Sequence, residues 1–332
     1  MGTRTTRSAS HTARRAEAVA TGPLGALSHD ELGVIFDGLA DPLEPVVAVA
    51  LSSTCVGLRT PLQTGLEELK ERHARAAALC RKVHRPTEPC SCALLRDAEE
   101  LNWFERGLTA DDMATLGMIL RTNGLPRLRK LSLYRNYFGD AGLQALCEGL
   151  DRGAAPSFRE LYLIQNYLGP AGAEALAAAL GRGAMPKLKE LDLSYNLIGS
   201  QGVAALVSPL RKLPTLMELY LDGCDIGEQG VASLVANLGE DDFKALEVLT
   251  LATCAIGDAG VASLVANLGK DKLMTLQALN LADNHITDAG CARLVTAINQ
   301  GGLPGLREME LTDNEASEAA QDAVHESLDA RM

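Results

Sequence analysis

No apolar run in this 332-residue chain approaches the roughly 18 residues of a membrane span, so a helical anchor is not expected. The N-terminus lacks the apolar stretch of a secretory signal, and the eight cysteines follow no disulfide framework. Both point to reduced thiols in the cytoplasm or nucleus. The six histidines are scattered, and no nucleophile elbow, phosphate-cradling glycine loop or two-histidine metal motif occurs. A catalyst is therefore not expected, and neither is a cofactor or a metal. Cys80, His84, Cys90 and Cys92 come nearest to a metal set, but one cysteine pair with a single-residue spacer is not the two half-sites of structural zinc. Positive charge is also short where it would matter. Residues 1–92 hold 11 Lys and Arg against 10 Asp and Glu, whereas the remainder holds 20 against 33. An acidic surface of that kind repels phosphate backbones, which excludes general nucleic-acid binding and favours basic protein partners.

What the chain has instead is a repeat. The stretch LKELDLSYN, Leu188 to Asn196, carries leucine at its first, fourth and sixth positions and asparagine at its ninth. The frame recurs from Leu128, Phe158, Leu216, Leu246, Leu276 and Leu306. Its ninth position is Asn136, Asn166, Asn196, Cys224, Cys254, Asn284 and Asn314, in steps of 30, 30, 28, 30, 30 and 30. An eroded copy one period upstream contributes Leu101 and Trp103. A period this regular means stacked units. The alternation around the paired leucines predicts a short strand, and the asparagine closes it by bonding turn backbone. A glycine pair follows, such as Gly199/Gly202, and then helical triplets such as Val203/Leu206/Leu210. The last triplet, Gln321/Val324/Leu328, admits a polar residue, as a terminal cap should. Strands stack about 4.8 Å apart while helices need about 8–10 Å, so the stack must curve with its strands inside. The expected fold class is α/β: a horseshoe with parallel strands concave and helices convex, about eight repeats over residues 98–332, preceded by a small all-α module.

Frame, period and glycine pair resemble the ribonuclease-inhibitor-like class of leucine-rich repeats, which includes ribonuclease inhibitors and Ran GTPase activators. The resemblance implies a protein-binding scaffold.

The concave lining reads column by column. Before the second leucine stand Lys130, Glu160, Glu190 and Glu218; between the paired leucines stand Ser132, Tyr162, Asp192 and Tyr220. Tyr134, Arg135, Gln165, Tyr195 and Asp222 follow, with Trp103 expected to join them one unit earlier. All six tyrosines fall between 134 and 220. Tyrosine, tryptophan and arginine most often anchor interfaces, so this aromatic group ringed by acids reads as the partner site.

Upstream, residues 1–22 are rich in Arg, Ser, Thr and Ala and read as a disordered arm; the same composition is compatible with a transit peptide, and Met1-Gly2 with Thr6 with myristoylation. Residues 27–83 read as helices: Ser28 and Glu31 form a capping box, Leu32, Ile35, Phe36 and Leu39 a stripe, and 61–83 one long helix. Residues 84–97 read as a loop. LSHDELGVIFDGLADPLEPVVAVALSSTCVGLR, residues 27–59, resembles an F-box, the helical motif that docks substrate receptors onto a cullin-type ubiquitin ligase adaptor. That resemblance implies adaptor contacts from Leu27, Leu32, Ile35, Phe36, Leu39 and Pro42. The competing expectation is that these helices only cap the stack of a free-standing scaffold or GTPase regulator. A monomer is expected in either case.

Overall fold

The computed structural model describes residues 29–53, 62–84, 92–122, 125–150, 155–239, 241–267 and 272–331. Expectations for residues 1–22, Leu27, Ser28 and Cys90 fall outside them. The chain divides near residue 96 into two compact units.

The first unit is helical. It comprises α1 (His29–Leu39), α2 (Val46–Ser53), α3 (Gln63–Val83) and α4 (Cys92–Arg96). Its core is Leu32, Phe36, Ala40, Ala48, Leu62 and Leu69, with Leu51 and Leu66 packed against it. Here the adaptor-contact expectation needs correction. Leu32, Phe36 and Pro42 are buried and Ile35 is half-buried; of the described residues in that set only Leu39 is exposed. Helices this short have few large apolar groups with which to close a core, and the Phe36 ring is used for that purpose. It lies across Gly65 of α3, where an added Cβ would meet it at 3.1 Å. Among the described residues of this unit, the large apolar side chains left exposed are Val34, Leu39, Val46, Val47, Val49 and Leu94. The segment expected as a loop, 84–97, contains α4. Burial of Leu95 anchors that turn, and Arg96 ties it to Asp41 at 3.0 Å and Glu44 at 2.5 Å.

The second unit is the repeat array. Eight three-residue strands form one parallel sheet in chain order: β1 (Glu100–Asn102), β2 (Lys130–Ser132), β3 (Glu160–Tyr162), β4 (Glu190–Asp192), β5 (Glu218–Tyr220), β6 (Val248–Thr250), β7 (Ala278–Asn280) and β8 (Glu308–Glu310). Between them run α5 (Ala110–Arg121), α6 (Gly139–Glu148), α7 (Pro170–Gly181), α8 (Gly199–Arg211), α9 (Gly227–Val235), α10 (Gly257–Asn267) and α11 (Asp288–Asn299), with α12 (Glu318–Asp329) last. The register is strict: Leu131, Leu161, Leu191, Leu219, Leu249 and Leu279 are partners in line, and all are buried. Residues on either side of them in each strand face the opposite way, as a period of two requires. In α12, Val324 and Leu328 are buried while Gln321 is half-exposed, which closes the end of the stack.

Each strand exits through a turn that demands left-handed backbone from ordinary residues. Arg135 and Tyr137 have φ of 56° and 62°, Gln165 and Tyr167 52° and 57°, and Tyr195 56°. Such conformations cost roughly 1–2 kcal/mol each for an L-residue. The asparagine ladder compensates by satisfying the turn backbone. Asn136 Oδ1 accepts from Arg106 and Leu108 N–H at 2.9 and 3.2 Å, and Asn196 Oδ1 serves Asn166 and Leu168 at 2.9 and 3.0 Å. Where cysteine replaces asparagine, the thiol still donates to the preceding unit: Cys224 to the Leu193 carbonyl at 3.2 Å and Cys254 to Leu221 at 3.1 Å.

Candidate functional site

The strand faces not covered by helices form the lining, and its polar atoms are paired unevenly. At β2 and β3, Lys130 Nζ donates to Glu160 Oε2 at 2.8 Å and to the Tyr162 hydroxyl at 3.2 Å, and it stands 4.6 Å from the Tyr162 ring centroid. The Tyr162 hydroxyl in turn donates to Glu160 at 3.1 Å. The Glu160 hydrogen bond holds the Lys130 ammonium above its ordinary pKa. Burial would raise Glu160, but the hydrogen bonds from Lys130 and Tyr162 outweigh it and leave that carboxyl lowered.

Farther along the sheet the acids have no such cation. Among the described residues no ion pair is made by Glu190, Asp192, Glu218 or Asp222. Burial, together with the neighbouring Glu218 and Glu160, raises the Glu190 carboxyl despite its contact with Tyr162. Burial likewise raises Asp192 and Asp222, although Asp192 accepts Ser194 N–H at 2.9 Å and Asp222 accepts the Thr250 hydroxyl at 2.8 Å. The Tyr220 hydroxyl donates to Glu218, and burial is the leading reason that both Tyr162 and Tyr220 are pushed above the ordinary phenol value. Carboxylates on neighbouring strands that make no ion pair attract cations.

Beside this column runs an aromatic ribbon on the strand-exit turns. Phe104 and Tyr134 have ring centroids 4.9 Å apart, Tyr137 stacks on Tyr167 at 5.0 Å, and Tyr195 lies over Gly223 of the next unit. Tyr137, Tyr167, Tyr195 and Leu197 are exposed, and Arg135 reaches the Tyr137 hydroxyl at 3.3 Å. Tyr134, Gln165, Tyr162 and Tyr220 are half-buried.

Trp103 does not belong to the lining: it is 3 % exposed. The frame explains the correction. Trp103 occupies the sixth position, equivalent to Leu133, which points into the stack; Phe104, in the seventh, is the counterpart of Tyr134. Phe104 and Leu197 are the lining residues that the column reading omitted, and applying the frame strictly to the eroded first unit would have found Phe104.

The remaining chemistry is dispersed. Cys80 and Cys92 thiols lie 3.3 Å apart, and among the described residues no group of three or more His, Cys, Asp or Glu is arranged to hold a metal ion. A concavity of about 540 Å³ sits at the far end of the lining, bordered by Val248, Asn280, Glu308, Glu310 and His325. No helix among the described residues is long and apolar enough to cross a membrane.

Against this geometry, a family model described as leucine-rich repeat matches residues 184–207, 212–235 and 272–295. These are leucine-rich repeats. The matched segments carry β4 with most of α8, β5 with α9, and β7 with much of α11. A search of curated proteins found no match. One solved structure with a similar chain is described as the crystal structure of the Rad7 and Elc1 complex in yeast. It is 15 % identical, with 96 % of each chain covered and a TM-score of 0.26.

Proposed function

We propose that this chain is a protein-interaction scaffold whose leucine-rich lining, from Phe104 to Asp222, holds a basic segment of a protein partner. The observation that carries the reading is the coincidence of two tracks on one face. Exposed rings at Tyr137, Tyr167 and Tyr195 offer apolar area and cation-accepting faces, beside the carboxylates of Glu190, Asp192, Glu218 and Asp222, which make no ion pair among the described residues. This is a binding role without chemistry, exercised in the cytoplasm or nucleus. Replacing Tyr162 and Tyr220 together by alanine is expected to abolish partner capture in proximity labelling, with the circular dichroism of the array retained. Survival of the same partners would sink the reading.

A second role concerns the helical module. Val34, Leu39, Val46, Val47 and Val49 leave an apolar surface on α1 and α2, and α2 has almost no polar side to present. We take this surface, rather than Phe36, as the part that would meet a cullin-type ligase adaptor, making the chain a substrate receptor. Val46→Asp with Val47→Asp is expected to end adaptor co-purification without loss of lining-bound partners. If the wild-type chain recovers no adaptor, it is a free-standing scaffold or a GTPase regulator.

A further inference from the structure

The lining contains the same tyrosine–glutamate pair twice, once filled and once open. In β3, Tyr162 and Glu160 are engaged by the chain's own Lys130 from the preceding strand, with the ammonium over the ring and on the carboxylate. In β5, Tyr220 and Glu218 make the same internal hydrogen bond. The strand register makes the two places equivalent. Lys130 is the partner of Glu160 and Ser132 of Tyr162, whereas Glu190 is the partner of Glu218 and Asp192 of Tyr220. At the second place, therefore, a lysine and a serine have been exchanged for two carboxylates. The ring and the glutamate that receive an ammonium remain, and the ammonium has been replaced by groups that would bind one.

We propose that Tyr220, Glu218, Glu190 and Asp192 form a receptor for one lysine side chain of the bound partner. This rests on the reading of the lining as a protein-binding face and specifies the residue that the partner must present. The filled copy defines the chemistry. A compact ammonium with three donors contacts carboxylate, hydroxyl and ring face at once, and Lys130 does this at 2.8, 3.2 and 4.6 Å. At the open copy the incoming ammonium meets Glu218 in the place of Glu160, with Glu190 and Asp192 on the side from which Lys130 enters its own slot. Acetylation of the partner lysine removes the charge and two of its three N–H donors, so the receptor is closed to the modified form. Entry of the cation also favours the ionised form of Glu190, which burial disfavours. Binding therefore weakens as pH falls through the range in which that carboxyl protonates.

The test uses the full chain, a tetralysine peptide as probe, and tyrosine-ring NMR with the Tyr220 signal assigned by Tyr220→Phe. Saturable shifts of Tyr220 are expected with tetralysine and none with its fully acetylated form. Glu190→Lys rebuilds the filled pattern within the chain and should weaken the probe at Tyr220 by about tenfold or more. Lys130→Glu empties the first slot, and Tyr162 should then shift on titration as Tyr220 does. Glu190→Gln, which removes charge without adding bulk, should give an intermediate loss and guards against a folding defect in the lysine variant. Unchanged Tyr220 shifts in Glu190→Lys, or equal shifts with acetylated peptide, would overturn the proposal. If the tetralysine pattern is as expected but protein partners survive the Tyr162/Tyr220 replacement, the scaffold reading fails and the receptor stands. Partner loss on that replacement with no tetralysine response gives the reverse.

Discussion

The Asn166 side chain accepts the N–H groups of Asn136 and Tyr137 at 2.9 and 3.1 Å and donates to the carbonyls of Leu133 and Leu163 at 3.0 Å each. Three of those four partners belong to the preceding unit. The frame in the sequence announces that an asparagine recurs and that a turn needs closing. It does not announce the cross-unit half of the bonding, because the partners are about 30 residues away. Asp192 is a similar case. Its place in the lining is legible, but its lack of a cation is a property of its neighbours. Its folded-state pKa is raised by burial. Between the unfolded and folded values the native state therefore binds more protons, so its ionisation subtracts stability as pH rises through that window. Asp192→Asn keeps an acceptor for Ser194 N–H and removes the charge. A higher Tm is expected at pH 7, with the difference from wild type shrinking towards pH 4; an equal difference at both values would contradict the assignment.

Between units, the helices are joined by a device that periodicity does not reveal. Four of the eight array helices open on a left-handed glycine: φ is 61° at Gly139, 63° at Gly199, 59° at Gly227 and 60° at Gly257. Gly169, Thr287 and Ser317 are extended instead. In each of these three cases an aspartate at the start of the preceding helix accepts their N–H: Asp140 for Gly169, Asp258 for Thr287 and Asp288 for Ser317, at 2.6, 2.9 and 2.6 Å. This accounts for the one place where threonine breaks the glycine pair. Asp258 also accepts the Thr287 hydroxyl at 2.6 Å, and its carboxyl is lowered because that pair of bonds outweighs burial. Asp258→Ala should cost about 1 kcal/mol in denaturant unfolding, the usual worth of a helix cap, whereas Ser200→Ala, whose following helix opens on left-handed Gly227, should be near neutral. Equal costs would show that the Asp258 bonds to the capping Thr287 add no stability.

Across the array, helices and strands contact their immediate successors, so its stability is a chain of neighbour terms rather than one global core. The sequence by itself determined the architecture: eight units, strand then helix, with the period of two around the leucines fixing which residues face the lining. It could do so because those signals are local and are repeated at every unit, so that even the eroded first copy is held in register by its neighbour. The helical module was less legible. Its apolar stripe marks a helix, but only packing against α3 divides that stripe into a buried Phe36 and an exposed Leu39. In the lining, too, only the tertiary structure decided which charges are spent and which are free. Lys130 and Glu160 meet because successive strands stand side by side, and Glu190 meets Glu218 for the same reason. The column reading sets these residues side by side, but which side chains then bond and which stay without a counter-charge depends on side-chain geometry, which a reading along the chain does not contain.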